Sequence, residues 1–288
     1  MRDFELLEPR SPEEASRMLA DHGEEARVLA GGTALLLGMR QRLVTPSHVV
    51  YLGEVPGLST IEYDEATGLR IGALSTIAEL ADSELIKTRY PMMAAMARQV
   101  ANPQVRNAAT LGGNLCYGDP ALDPPTCLMA LDARVIAVGS EGSRSISLVD
   151  FYQDYFLTAL RPDEVVTRVD IPPLADGTAG AYTRFTRTAA EHRPLVGLAV
   201  VARRQGGLCR DARITIGAST PIPVRAKRAE QFLEGKKVTR DILEQTAEIA
   251  AADIEPLSDS RGSAEYRRDM VRVVLGRTAA AVFGLFAD

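Results

Sequence analysis

The sequence predicts an α+β protein of two domains, and three observations support this class. Short strand-like and helix-like segments alternate up to Pro172 without a repeat. A linker with proline, glycine and small residues follows at 173–180. Beyond it, three strand-like stretches precede three helical ones, an order that favours helices packed on one face of an antiparallel sheet. We therefore expect one domain before this linker and one after it.

Composition narrows the possible functions. The chain has 288 residues, of which 46% are apolar and 25% charged, and its net charge is −5. This is the balance of an ordinary globular protein, and its scattered basic residues disfavour binding to nucleic acid or to an anionic membrane surface. Residues 1–20 are too acidic for a secretory signal, and no apolar run is long enough to span a bilayer. We expect a cytoplasmic protein.

Capping residues define the first elements. Ser11 as N-cap, followed by proline, and Glu14 as the partner in a capping box predict a helix that ends at Gly23. The stretch ARVLA at 26–30 predicts a buried strand, and the two glycines after it predict a turn. The stretch TALLLGMRQR predicts a helix that begins at Thr33.

The remaining elements follow from apolar runs and helical spacing. Further strands are expected in SHVVYLG (47–53), LRIGAL (69–74), RVIAVGS (134–140) and DEVVTRVDIPP (163–173). Helices are expected in TIAELADS (76–83), PMMAAMARQVA (91–101) and PPTCLMALDA (124–133). The strands of the C-terminal sheet are AYTRFTRTA (181–189), LVGLAVVARR (195–204) and ARITIGAS (212–219), the last two joined across Gly206–Gly207. Its helices are VRAKRAEQFLEG (224–235), TRDILEQTAEIAAADI (239–254) and AEYRRDMVRVVLGRTAAAVFGLF (264–286).

Two glycine pairs, Gly31–Gly32 and Gly112–Gly113, are the main functional signal. Each follows apolar residues and stands close to a threonine. Glycine lets the backbone turn tightly and lets a bulky anion approach peptide N–H groups, and a helix that begins at such a turn favours a phosphate there. The P-loop lysine and the G-x-G-x-x-G pattern are both missing, so phosphate would be bound through backbone donors. Two such loops suit a diphosphate better than one.

Polar side chains surround the second pair. Asn107 and Asn114 add amides, and Asp119 and Asp123 add carboxylates that could accept from ribose or ribityl hydroxyls. An equally simple interpretation of the two aspartates is an N-cap for the helix that follows them. The sequence leaves these alternatives open.

Other chemistry has little support. The three cysteines, which are Cys116, Cys127 and Cys209, lack the spacing of a zinc site or an iron–sulfur cluster and are expected to be packed side chains. The three histidines lie far apart in the chain, and no hydrolase motif is present. We expect neither a metal site nor acid–base residues.

Four motifs in order carry a family resemblance: AGGTALL (30–36), IGALSTIAEL (71–80), NPQVRNAATLGGNL (102–115) and DPPTCLMALDA (123–133). With them the chain resembles the FAD-binding medium subunit of molybdenum hydroxylases, the family of the carbon monoxide dehydrogenase and xanthine dehydrogenase flavoproteins. The resemblance implies an FAD-binding domain of the vanillyl-alcohol-oxidase (PCMH) type at 1–175, with lobes at about 1–56 and 57–175. A C-terminal flavoprotein domain would follow at 178–288.

The resemblance also implies which residues contact FAD. In the first loop, where the family holds the pyrophosphate, they are Leu29, Ala30, Gly31, Gly32, Thr33, Ala34 and Leu35. In and after the second loop they are Asn107, Ala109, Thr110, Gly113, Asn114 and, near the ribityl or adenosine hydroxyls, Asp123. Around the flavin ring they are Val166, Arg184 and Val100, where Val100 replaces an aromatic residue of xanthine dehydrogenase-like members. The cysteines of an inserted iron–sulfur segment, found in some relatives, are missing.

By the same resemblance the chain is expected to be an electron-transfer subunit. FAD would receive electrons from a [2Fe-2S] small subunit and pass them to an external acceptor, while a molybdopterin-binding large subunit oxidises the substrate, in a dimer of heterotrimers. Two alternatives remain at this point. One is a stand-alone FAD reductase similar to the UDP-N-acetylenolpyruvoylglucosamine reductases, and the other is a nucleotide-binding scaffold without redox turnover.

Overall fold

The computed structural model describes residues 1–188 and 191–285. Within these ranges the chain forms a parallel three-stranded sheet, an antiparallel five-stranded sheet, an antiparallel four-stranded sheet and a small two-stranded hairpin. The last residues of two expected elements, at Ala189 and Phe286, lie outside the described residues.

The first sheet has the strand order β1-β3-β2. Its elements are β1 (Glu5–Leu7), α1 (Pro12–His22), β2 (Ala26–Leu29), α2 (Leu35–Arg40) and β3 (His48–Tyr51). Ser11 caps α1 as expected, because its hydroxyl accepts from the Glu14 N–H at 3.2 Å. The expected capping box is wrong in its second half, since the Glu14 carboxylate accepts from the Arg10 N–H, at 2.7 Å.

Two further expectations for this sheet are wrong. β2 is an edge strand, so Val28 is 36% exposed and the predicted burial holds for Ala26 alone within the strand. α2 begins at Leu35, not at Thr33, and has six residues. The delay has a local cause, because Gly32 has a left-handed φ of +72° and the chain becomes helical after it.

The second sheet has the strand order β4-β5-β10-β6-β7. Its strands are β4 (Ile61–Asp64), β5 (Gly68–Gly72), β6 (Arg134–Gly139), β7 (Gly142–Ser147) and β10 (Val165–Ile171), and the separate hairpin is β8 (Tyr152–Asp154) with β9 (Leu157–Thr158). The helices are α3 (Ile77–Asp82), α4 (Glu84–Arg89), α5 (Pro91–Gln99), α6 (Pro103–Ala108), α7 (Leu111–Tyr117), α8 (Asp123–Ala130) and α9 (Leu148–Phe151).

The third sheet has the strand order β11-β12-β13-β14 and precedes three helices. The strands are β11 (Thr178–Phe185), β12 (Val196–Gln205), β13 (Leu208–Gly217) and β14 (Val224–Arg225), and the helices are α10 (Lys227–Leu233), α11 (Arg240–Ala252) and α12 (Ala264–Phe283). Gly206 and Gly207 both have positive φ, as the expected tight hairpin requires. None of the described helices has the length and apolar composition needed to cross a membrane.

Helix α8 covers one face of the third sheet. All eight of its residues are buried, and it packs on β12 and β13. Gly197 and Gly217 are paired across these two strands, and a Cβ added to Gly217 would lie 1.9 Å from Thr126 Oγ1. The absence of side chains at this glycine pair lets the helix approach the strands closely. The third sheet is therefore covered on both faces, by its own helices and by α8.

Candidate functional site

The first glycine loop presents a row of backbone donors. It follows β2 directly and ends where the Leu36 N–H donates to the Gly32 carbonyl at 3.0 Å. Between these points, the N–H groups of residues 31–34 donate to no protein acceptor in the described part of the chain. Consecutive free N–H groups around a left-handed residue form an anion-binding concavity, and its strength here does not depend on the short helix α2.

The two glycine loops lie against each other. A Cβ added to Gly31 would lie 1.7 Å from the carbonyl oxygen of Ala108, and one added to Gly113 would lie 3.8 Å from Ala30 Cβ. Residues that are about eighty positions apart in sequence thus form one surface. Gly31 is required for this contact, because any side chain there would push the two backbones apart.

The second loop differs from the first because its N–H groups donate hydrogen bonds to acceptors within the protein. Leu111 N donates to Ser75 O at 2.9 Å, and Gly112 N donates to Ala73 O at 2.8 Å. A Cβ on Gly112 would lie 2.6 Å from Ala73 Cβ, so this glycine serves close packing behind the loop. Gly113 N donates to the N-cap hydroxyl of Thr110. This loop can therefore offer a ligand mainly side chains.

Two asparagines are those side chains. Asn107 is exposed at the end of α6, and Asn114 is half-buried in the first part of α7. The Asn114 Oδ1 atom is buried and has no hydrogen-bond partner in the described residues. A buried amide oxygen without a donor points to a missing ligand group or water.

Neither candidate aspartate is an N-cap. The residue at the N-cap of α8 is Leu122, and Asp123 is the first helical residue. Asp119 is 4% exposed, and its carboxylate accepts from the Ala121 N–H at 2.9 Å and pairs bidentately with Arg193. The simple interpretation of both residues as caps is wrong, because each carboxylate binds a side chain from the C-terminal part of the chain.

Asp123 is as buried as Asp119, at 4% exposed, and the pKa of its carboxyl is raised. Its Oδ1 accepts from the Tyr182 hydroxyl at 2.5 Å, and Arg184 Nε lies 3.6 Å from the same atom. Burial raises the pKa of the Asp123 carboxyl to about 6, against the opposing effects of Arg184 and Tyr182. Arg184 also donates to the carbonyls of Gln99 and His192. Asp123 is thus fixed from the third sheet.

The apolar candidates lie in the core beside this network. Val100 follows α5 and is 7% exposed, and Val166 lies in β10 and is 4% exposed. Ala109 belongs to the same hydrophobic cluster as these two valines. Arg184 donates to the carbonyl of Gln99, which precedes Val100 in the chain, so this valine lies beside the Asp123 network.

The cysteines and histidines form no metal centre. Cys127 and Cys209 are fully buried, Cys116 is half-buried, and burial raises the pKa of the Cys116 and Cys209 thiols to about 12. The rings of His22 and His48 stack with centroids 3.7 Å apart. The sequence did not predict this pair, because the two residues lie far apart in the chain. No group of three potential metal ligands occurs in the ranges that the structure describes.

Comparison with known families identifies the chain. The model of the FAD binding domain in molybdopterin dehydrogenase matches residues 2–174, and that of the CO dehydrogenase flavoprotein C-terminal domain matches residues 180–282. The chain belongs to this FAD-binding dehydrogenase family. FAD is accordingly its cofactor, and the chain is the medium flavoprotein subunit of a molybdenum-hydroxylase type of oxidoreductase.

Individual relatives in the family extend over almost the whole chain. The nicotine 6-hydroxylase medium subunit of Paenarthrobacter nicotinovorans is 36% identical over 94% of each protein. The carbon monoxide dehydrogenase medium chain of Afipia carboxidovorans is 35% identical over 95% of this chain and 94% of that one. A chain of the carbon monoxide dehydrogenase from Hydrogenophaga pseudoflava matches with a TM-score of 0.95, 33% identity and 99% coverage of both chains. The expected α+β fold of the PCMH type, followed by a sheet with helices, is confirmed.

The first loop fits the FAD of this family. A diphosphate needs several donors within a short distance, and the free N–H groups of residues 31–34 supply them without a lysine. The close approach of Gly31 to Ala108 and the unpartnered Asn114 Oδ1 extend the polar surface to the second loop. The residues present are therefore compatible with the family's cofactor.

Sequence reasoning missed Tyr182 and Arg193. The two aspartates were recognised, but their partners were not. Tyr182 bonds to Asp123 from 59 positions away, and Arg193 bonds to Asp119 from 74 positions away. Their residue types and spacing contain no local signal, because the contacts arise from the packing of the third sheet on α8.

Proposed function

We propose that this chain is the electron-transfer flavoprotein of a molybdenum hydroxylase complex. The chain would hold FAD where electrons from a [2Fe-2S] small subunit can reach it and where an external acceptor can remove them. A separate molybdopterin-binding large subunit would oxidise the organic substrate, and the assembly would be a dimer of heterotrimers. When bound, FAD supplies the redox chemistry.

The observation that carries this proposal is the first loop. Its row of free N–H groups suits a diphosphate, and it occurs in a chain whose relatives include medium subunits of dehydrogenases and hydroxylases. The proposed cofactor contacts in the first loop are residues 29–35. In and around the second loop and the remainder of FAD they are Asn107, Ala109, Thr110, Gly113, Asn114, Asp123, Val100, Val166 and Arg184. We further propose 1–175 as the FAD-binding domain and 178–288 as the second domain.

The absorbance spectrum of the purified chain tests the proposal. We expect a flavin spectrum, and we expect FAD in a ratio of about one per chain when the nucleotide is released by denaturation and separated chromatographically. A colourless protein that binds another nucleotide and does not take up added FAD would instead favour a non-redox scaffold. The cytoplasmic location remains a prediction that cell fractionation can check.

A further inference from the structure

Three contacts join the segment 118–123, which precedes and begins α8, to the C-terminal part of the chain. Arg193 pairs with Asp119, with Nη2 2.7 Å from Oδ1. Ala218 N donates to the Pro120 carbonyl at 2.9 Å. The Tyr182 hydroxyl donates to Asp123 Oδ1 at 2.5 Å. The segment that supplies the acidic candidates is thus held from outside its own domain.

The C-terminal backbone near these contacts is held in place by Arg267. Arg267 of α12 is 1% exposed, and its Nη1 donates to the carbonyls of Leu195 and Ala218, at 2.9 Å each. Asp259 balances its charge at 2.8 Å. A buried guanidinium that donates to two carbonyls and pairs with a carboxylate fixes backbone positions, because moving either carbonyl would remove a hydrogen bond from a buried charge.

From this geometry we infer that Tyr182 is a positioning residue for the cofactor site: its hydroxyl orients the Asp123 carboxylate as the acceptor for hydroxyl groups of bound FAD. The inference rests on the proposed function, since it takes FAD as the ligand. It adds that the second domain, which contains neither glycine loop, sets cofactor affinity through one hydrogen bond.

The chemistry requires an ionised Asp123. A carboxylate accepts hydrogen bonds through both oxygens, whereas the protonated acid uses one of them as a donor. The groups that act on its titration are Arg184 and Tyr182 of β11. The nearby Cys127 thiol of α8 is neutral in this pH range, because burial raises its pKa. Burial raises the pKa of Asp123 to about 6, while Arg184 and the Tyr182 hydrogen bond lower it. Removal of the hydroxyl should therefore raise the pKa further.

The test is the dissociation constant of FAD for the full-length apoprotein, measured by flavin fluorescence from below pH 6 to well above it. We expect the wild-type affinity to fall as the pH decreases through about 6. In Tyr182→Phe the midpoint should move to higher pH by about one unit, the effect of losing a hydrogen bond to a charged group. Well above the new midpoint, Tyr182→Phe should still bind FAD more weakly than the wild type, because its ionised Asp123 carboxylate is no longer oriented.

Two further variants complete the design. Tyr90→Phe removes another buried phenol hydroxyl, which donates to the Pro172 carbonyl at 2.8 Å, and should leave the midpoint unchanged. Asp123→Asn should remove the pH dependence. An unmoved midpoint, wild-type affinity of Tyr182→Phe well above its own midpoint, or a pH profile that survives Asp123→Asn would overturn the inference. Failure of the wild type to bind FAD at any pH would instead contradict the proposed function.

Discussion

Among single residues, Gly31 is the position where the site leaves no room for a side chain. Its added Cβ would meet a backbone carbonyl at 1.7 Å, and a backbone atom cannot rotate away as a side chain can. We expect Gly31→Ala to separate the two loops, to weaken FAD binding at least about tenfold, and to lower the unfolding free energy by ~1–3 kcal/mol. Fluorescence titration with FAD and urea unfolding of the apoprotein measure the two effects.

Gly276→Ala is the matched control. Gly276 lies in α12, and nothing lies within 4 Å of its added Cβ. Alanine should leave FAD affinity unchanged and stabilise the helix by ~0.5–1 kcal/mol. Gly32 is a poorer probe, because its φ of +72° strains any other residue whether or not FAD binds. Wild-type FAD affinity in a folded Gly31→Ala protein would remove the basis for a shared site.

The cysteines give a second prediction for single residues. Cys127 and Cys209 are fully buried, and burial raises the pKa of all three thiols, so none should be a thiolate at neutral pH. Alanine at each position should cost ~1–2 kcal/mol of stability through lost packing and should leave FAD content unchanged. A thiol reagent should react quickly with these residues in urea and slowly in buffer. Loss of flavin from Cys116→Ala alone would place that side chain in the site.

Among whole elements, the sequence predicted correctly those boundaries and turns that a few adjacent residues determine. The start of α1 follows from Ser11, and the β12–β13 hairpin follows from Gly206–Gly207, because caps and turns are decided by a few adjacent residues. The exposure of β2 was not predictable, since an apolar pattern does not reveal which strand lies at a sheet edge. The short strand β14 likewise has too few residues for a pattern.

The contact of α8 with the third sheet makes a prediction at this scale. Gly217→Ala would place a Cβ 1.9 Å from Thr126 Oγ1 and should destabilise the protein by ~1–3 kcal/mol. Thr126→Ala should cost little, because this buried hydroxyl has no hydrogen-bond partner among the described residues. In the double variant the smaller residue on α8 should accommodate the larger one on β13.

A double-mutant cycle of urea unfolding free energies measures this compensation. We expect a favourable coupling energy of ~1 kcal/mol or more, within the range found for residues in direct contact. Additive effects of the two changes would show that α8 does not depend on the Gly217 position. Because Asp123 begins α8, Gly217→Ala should also weaken FAD binding, and Thr126→Ala should restore it in the double variant.

In the molecule as a whole, the sequence revealed the two loops of the candidate site but not the contacts that join them to the C-terminal part of the chain. The glycine loops could be recognised because each is a continuous motif, Asp123 was a candidate because it follows the second loop, and the family resemblance added Arg184. The functional difference between the loops could not be predicted, since it depends on whether each N–H finds an acceptor, as Leu111 and Gly112 do in the segment that follows β5. The Tyr182–Asp123 and Arg193–Asp119 contacts were equally hidden, because they form only when the third sheet packs on α8.

The final prediction concerns the complete assembly. The described chain offers backbone donors for a diphosphate but no cluster of metal ligands, so we expect the isolated protein to bind FAD without oxidising an organic substrate. Turnover should appear when an iron–sulfur chain and a molybdenum chain are added, each docking through a surface of about 800 Å². The measurement is bleaching of the flavin absorbance by the substrate of the co-purified complex, with each partner omitted in turn. Bleaching in the purified chain alone would reject the electron-transfer role and favour a stand-alone reductase, because it would require a substrate site within this chain.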